Sequence, residues 1–143
     1  MSKRFSIIMI SSVTNQGKVQ FMVYSDNMNA DRLIEFMEHL IKSSNRKIFL
    51  ILDNLRVHHS KVVKEWLGGK KDEIEAFYLP SYSPEKNPDE YLNCDLKQGM
   101  SAKPAPKNAA KLKENVESLM NMLQQTPKRL MKYFLHDDIK YAA

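Results

Sequence analysis

The chain predicts an α/β fold, and three features of its 143 residues carry that expectation. Two ribbon-like stretches near the start flank a glycine-containing loop. An apolar run, a short helical pattern and a second apolar run then follow in strand–helix–strand order. Amphipathic helical patterns close the chain. The length suits one domain with a real core and is too short to expect two.

Residues 6–13 and 18–24 read as strands; in the second, Val19, Phe21 and Val23 alternate with Gln20, Met22 and Tyr24, the period of a pleated ribbon. Thr14-Asn15-Gln16-Gly17 between them is hairpin-loop chemistry, with Gly17 free to take positive φ. Asn29 is the expected cap of a helix reaching about Lys42, with Leu33, Met37, Leu40 and Ile41 as its apolar stripe. Residues 47–52 form a continuous apolar strand of the kind buried on both faces. Ser60 then caps a short helix carrying Val62, Val63, Trp66 and Leu67, which Gly68-Gly69 ends. Residues 74–79 are the next strand. A strand–helix–strand order implies a right-handed crossover and a parallel pair.

From Asn87 a helix is expected to about Lys97 or Gln98, with Leu92 and Leu96 one turn apart. The proline-containing stretch 102–106 is the one linker-like segment, so the division expected is 1–101 and a helical C-terminal extension of the same domain, 102–143. Leu112, Val116, Leu119, Met120 and Leu123 mark an amphipathic helix. Thr126-Pro127 starts a last short one with Leu130, Met131 and Phe134 inward.

Composition is that of an ordinary globular protein, with 43% hydrophobic and 27% charged residues, which argues against wholesale disorder. No apolar run approaches a membrane span, and the start, Met1-Ser2-Lys3-Arg4-Phe5, leads into a strand-like segment without a cleavage site, so neither anchor nor signal peptide is expected. A single cysteine, Cys94, excludes an internal disulfide framework and fits a reducing cytoplasm. A net charge of +5 and a pI near 9.2 suit a polyanion such as DNA, although the basic residues are spread along the chain.

Two stretches carry the chemistry. Asp53 follows Ile48-Phe49-Leu50-Ile51-Leu52, where a buried strand surfaces and where ligand sites of such sheets lie. An ionised group there needs partners, although Asp53-Asn54 is also an ordinary turn start. Leu79-Pro80-Ser81-Tyr82-Ser83-Pro84-Glu85-Lys86-Asn87-Pro88-Asp89-Glu90 reads as a strand end, a stiff turn and a helix opening on two acids. The same residues make a good helix start, with Asn87 as cap, Pro88 first and Glu90 at the capping-box position. The functional expectation is that Asp53 and an acid at Asp89 or Glu90 meet at a sheet edge and share a divalent metal, hard oxygen ligands suiting magnesium over a phosphodiester. His58 is a candidate phosphate or outer-shell contact rather than a primary ligand. Lys61, Lys64, Lys70 and Lys71 are either a phosphate-contacting face or a solvated one. No phosphate-cradling glycine loop, Cys/His metal spacing or serine nucleophile motif is present.

Together, Leu52-Asp53-Asn54 with His58, and Tyr82-Ser83-Pro84-Glu85-Lys86-Asn87-Pro88-Asp89-Glu90-Tyr91-Leu92, resemble the catalytic domain of DDE transposases, in the insertion-sequence branch related to the mariner elements. The second stretch matches a Tyr-Ser-Pro-x-x-Asn-Pro-x-Glu signature, and 36 residues separate Asp53 from Glu90. The resemblance implies a ribonuclease H-like mixed five-stranded sheet flanked by helices. It also implies DNA cleavage and strand transfer with two Mg2+ or Mn2+ ions, DNA (transposon ends) as partner, and a bacterial cytoplasmic, nucleoid-associated setting. Asp53 becomes the second acid of a triad and Glu90 the third, Asp89 falling at a variable position; Asn54, His58, Lys61 and Asn87 become accessory or DNA-contacting. The family's first acid lies on a strand before the hairpin, whereas no Asp or Glu here precedes Asp26. The expectation is therefore a domain truncated at its N-terminus, without its central strand: a remnant, or half of a split frame completed by an N-terminal transposase polypeptide or by a second copy. The alternatives are a non-catalytic module that binds DNA or transposase and regulates transposition, and another metal-dependent phosphodiester hydrolase of the same broad fold.

Overall fold

In chain order the elements are β1 (Ile8–Val13), β2 (Val19–Tyr24), α1 (Ala30–Lys42), β3 (Ile48–Leu52), α2 (Lys61–Gly68), β4 (Ile74–Tyr78), α3 (Asp89–Ser101), α4 (Ala109–Gln124) and α5 (Pro127–Met131). Short 3-10 turns lie at Arg56–His59, Pro84–Lys86, Lys132–Leu135 and Asp137–Ala142. The computed structural model describes residues 6–25, 27–81 and 83–143; Asp26, Tyr82 and the opening five residues lie outside them. The chain divides into two compact units, one of Met1–Asn27 with Pro88–Ala143 and one of Met28–Asn87.

In the first unit β1 and β2 pair antiparallel, from Ile8↔Tyr24 to Val13↔Val19. Gly17 closes the hairpin with φ +79°, and a Cβ there would collide with the Pro127 backbone, so both conformation and space demand glycine. The apolar stripe of α4 and the inward residues after it build the core: Val19, Leu92, Val116, Met120, Leu123, Leu130, Tyr133, Phe134 and Ile139. Gln124 Nε2 donates to the Val19 carbonyl at 3.0 Å, fastening α4 to β2. The segment beyond residue 102 is thus part of this core. Met131, expected inward, is exposed; α5 ends there and the following 3-10 turn directs Tyr133 and Phe134 inside instead.

In the second unit β3 and β4 pair parallel, Ile48↔Ile74 to Leu52↔Tyr78, with α2 as the crossover between them. Asn29 Oδ1 accepts from the Arg32 amide and Ser60 Oγ from the Val63 amide, the two caps expected from sequence. Leu33, Met37, Val63 and Ile74 form the core. Val62, expected in the apolar stripe, is exposed, because this two-turn helix buries only Val63 fully and Trp66 and Leu67 partly.

The expectation for β3 is corrected. β3 is covered on one face only: Ile48 and Leu50 pack on the core, while Phe49 is 63% exposed, Ile51 38% and Phe77 of β4 47%. An unbroken apolar run does not reveal whether one face or both will be covered. The strands among the described residues form two ladders of two, in a mixed α/β chain as expected. Each strand has one hydrogen-bonded neighbour among the described residues.

Candidate active site

β3 delivers Asp53 at its carboxyl end, and the loop after it is held by side chains rather than by regular structure. Asp53 Oδ1 accepts from Asn87 Nδ2 at 2.9 Å, across 34 positions of sequence. The Asp53 carbonyl takes the Leu55 amide at 2.9 Å and the ring of His58 at 2.5 Å. Since a carbonyl only accepts, His58 Nδ1 carries the proton. His58 is buried, and its own carbonyl accepts from the Tyr78 hydroxyl at 2.8 Å. Burial raises the Tyr78 phenol above its usual pKa, keeping it a donor. Asn54 Nδ2 donates to Ser81 Oγ at 2.7 Å, and Asn54 Oδ1 meets His59 Nε2, whose ring stacks on Tyr78 at 4.1 Å. The two sequence motifs therefore meet within one unit, through Asp53 with Asn87 and through Asn54 with Ser81.

Asn87 is the cap of α3 expected from sequence; the helix opens at Asp89 with Pro88 in the cap position, and Asn87 Nδ2 is given to Asp53. Helix α3 also runs past Gln98 to Ser101.

Glu90 lies in the first turn of α3, half-buried, where the positive end of the helix dipole favours a carboxylate. It has no hydrogen-bond or ion-pair partner among the described residues. Its neighbour Asp89 accepts from Ser11 Oγ of β1 at 3.2 Å. Further along α3, Asp95 accepts from Arg129 Nη2 at 2.7 Å and Nε at 3.0 Å, and from the Tyr133 hydroxyl. Partial burial would raise the Asp95 carboxyl, but the hydrogen bonds from Arg129 and Tyr133 and the charge of Arg129 outweigh it and hold it below the ordinary range. Burial, and the bond to Asp95, push the Tyr133 phenol well above its usual value. Tyr91 stacks on Tyr133 and, at 4.0 Å, on His136. This clamp anchors the helix that bears Glu90.

Lys61 is almost fully exposed and pairs with Glu65 at 3.9 Å, and Lys70 pairs with Glu73 at 3.8 Å. Surface pairs of this kind contribute little. Ser81, His59, Tyr78 and Ser11 are the contacts that sequence reasoning did not single out. The stiff Pro80–Pro84 turn was the one signal, for Ser81 alone.

The site is thus a strand-end carboxylate held by a proline-bounded turn in a mixed α/β chain. The family model described as DDE superfamily endonuclease matches residues 1–113, and the chain belongs to that family. Among solved structures, the catalytic domain of Mos1 mariner transposase shares the fold, with a TM-score of 0.57 and 14% identity over 90% of this chain and 76% of that one. No curated protein matches the chain. No helix among the described residues is long and apolar enough to cross a membrane.

Proposed function

We propose that this chain is a transposase DDE domain that takes part in metal-dependent cleavage and strand transfer of DNA, with Asp53 and Glu90 as two of its metal-holding acids. The observation that carries the reading is Asp53 at the carboxyl end of β3, its carboxylate oriented by Asn87 from the second motif. The donors are of the right kind, since carboxylate oxygens suit Mg2+ or Mn2+. Asp53 and Glu90 belong to different compact units, and no group of three or more His, Cys, Asp or Glu able to hold a metal occurs among the described residues. A third acid supplied by another polypeptide or by a second copy of the chain is part of the proposal.

When bound, such ions supply charge stabilisation to an in-line displacement at phosphorus and lower the pKa of the attacking hydroxyl. The chain's own residues do the positioning. Asn87 fixes one Asp53 oxygen and leaves the other to ligate. His58 donates to the Asp53 carbonyl and so shapes the loop rather than acting as a base from that nitrogen. Asn54 and Ser81 tie the two motif loops together, and Lys61 is an exposed cation available to a phosphate. With Asp89 engaged by Ser11, Glu90 is the acid of the pair left to ligate.

The test is purified protein, with Mg2+ or Mn2+, on labelled transposon-end DNA, alone and with a polypeptide supplying the first acid. Cleavage that disappears in Asp53→Asn and in Glu90→Gln supports the reading. Metal-independent DNA binding, with no cleavage under either condition and no response to these substitutions, would replace it with a regulatory binding module. Cleavage of an RNA–DNA hybrid alone would point to a different hydrolase.

A further inference from the structure

The basic residues are spread along the sequence, but the acidic ones are not. All 17 Asp and Glu lie within residues 26–117 and 137–143, so residues 1–25 and 118–136 carry none. The fold brings these two acid-free segments together inside one compact unit. Gln124 Nε2 donates to the Val19 carbonyl at 3.0 Å, and a Cβ on Gly17 would collide with the Pro127 backbone. Asn15 of the hairpin loop and Lys132 line one cleft, with the apolar Met131, Phe134 and Leu135 and the terminal Ala143.

Lys18, Lys128 and Lys132 stand exposed on these segments, and none has a carboxylate partner among the described residues. The lysines paired with a carboxylate, among them Lys47, Lys61, Lys70, Lys111 and Lys140, lie outside the two segments. Of the acids that adjoin the segments, Asp95 is taken up by Arg129 and Asp137 by Lys140, while Glu117 and Asp138 sit just beyond the segment ends. Cations on stretches that carry no acid add their fields instead of cancelling, so the surface keeps a positive potential.

Exposed ammonium groups spread over a hairpin tip and a helix do not enclose a small anion. They suit an extended polyanion whose charges repeat along a backbone, which is how nucleic-acid phosphates are met. Hairpin and helix are already packed on each other, so little ordering is left to be done on binding. The exposed side chains of Asn15 and Gln16 add hydrogen-bond donors of the kind given to phosphate and sugar oxygens. We infer that the hairpin tip, the start of α5 and the turn after it form a surface that holds the phosphate backbone of duplex DNA. It does not read sequence, and it uses none of the acids assigned to metal. That the polyanion is DNA rests on the proposed function; the positive surface rests on the charge distribution alone.

Anisotropy of a labelled duplex, titrated with the full chain in a chelator at a series of salt concentrations, tests this surface. K18Q/K128Q/K132Q should weaken binding about tenfold or more and lower the slope of log affinity against log salt by about 2 or more, with thermal melts unchanged. Q16E places an acid on the exposed hairpin tip and should weaken binding several-fold without touching a lysine. A control triple, K42Q/K97Q/K113Q, removes the same charge from exposed lysines in the acid-bearing stretches and should lose much less. No binding by the wild type, equal losses in the two triples, or an indifferent Q16E would overturn the surface. The assay needs neither metal nor cleavage, so failure of the surface and failure of the catalytic reading are seen separately.

Discussion

The two compact units solve the problem of a small core differently. The Met1–Asn27 and Pro88–Ala143 unit wraps a hairpin with α3, α4, α5 and the closing 3-10 turns, burying Leu92, Met120, Leu130 and Ile139 completely. The Met28–Asn87 unit covers one face of a two-stranded parallel ladder and leaves Phe49, Ile51 and Phe77 on the other. Parallel pairs are ordinarily covered on both sides. Complete burial is thus concentrated around the helix bearing Glu90, whereas Asp53 depends on a short ladder and a loop stitched by His58, Asn54 and Asn87.

Core truncation tests that contrast most strongly. Leu130→Ala should lower unfolding free energy by about 2–5 kcal/mol, the usual cost of a cavity left by a fully buried leucine. Phe49→Ser should shift it by no more than about 0.5 kcal/mol, as for an exposed position. Denaturant melts of both variants decide the matter; similar losses would erase the distinction.

Next in size is Gly17→Ala, expected to destabilise by about 1–3 kcal/mol from positive φ alone, with the Pro127 clash adding to it. An unchanged melting temperature would mean that the hairpin and α5 are not held together as described.

The clamp on α3 sharpens the comparison through pH. The Asp95 carboxyl is depressed in the folded state, so its stabilising share is present above the ordinary carboxylate pKa of about 3.9 and is lost as pH falls through the lower folded value. Tyr133 is raised, so its share is present below about pH 10 and declines as pH climbs beyond that. Asp95→Asn should flatten the acid limb of a stability–pH curve, and Tyr133→Phe the alkaline one. Curves that superimpose on the wild type would remove the clamp from the account.

Smallest of all is Asn87→Ala, expected to cost about 1 kcal/mol or less in stability while exchange of the Leu55 and His58 amides quickens. Unaltered exchange would show that Asn87 does not brace the Asp53 loop.

Much of this was written in the sequence. Asn29 and Ser60 cap where their residue types say, Gly17 turns the hairpin, and the strand–helix–strand order gives a parallel pair, because each follows from local chemistry. The bond from Asn87 to Asp53 was not legible, since it joins residues 34 positions apart. Nor was the bare face of β3, since an apolar run looks alike whether one layer or two lie upon it. The roles of Ser11, Ser81 and Tyr78 arise from contacts 20 or more positions away, which no window of sequence contains.

The proposed function assigns metal binding to Asp53 and to Glu90. The most direct measurement is paramagnetic broadening of backbone amide signals on adding Mn2+ to the full chain. Broadening is expected at 53–54 and at 89–91, lost at the first in Asp53→Asn and at the second in Glu90→Gln. Broadening at one of these segments only, or at neither, would contradict that assignment.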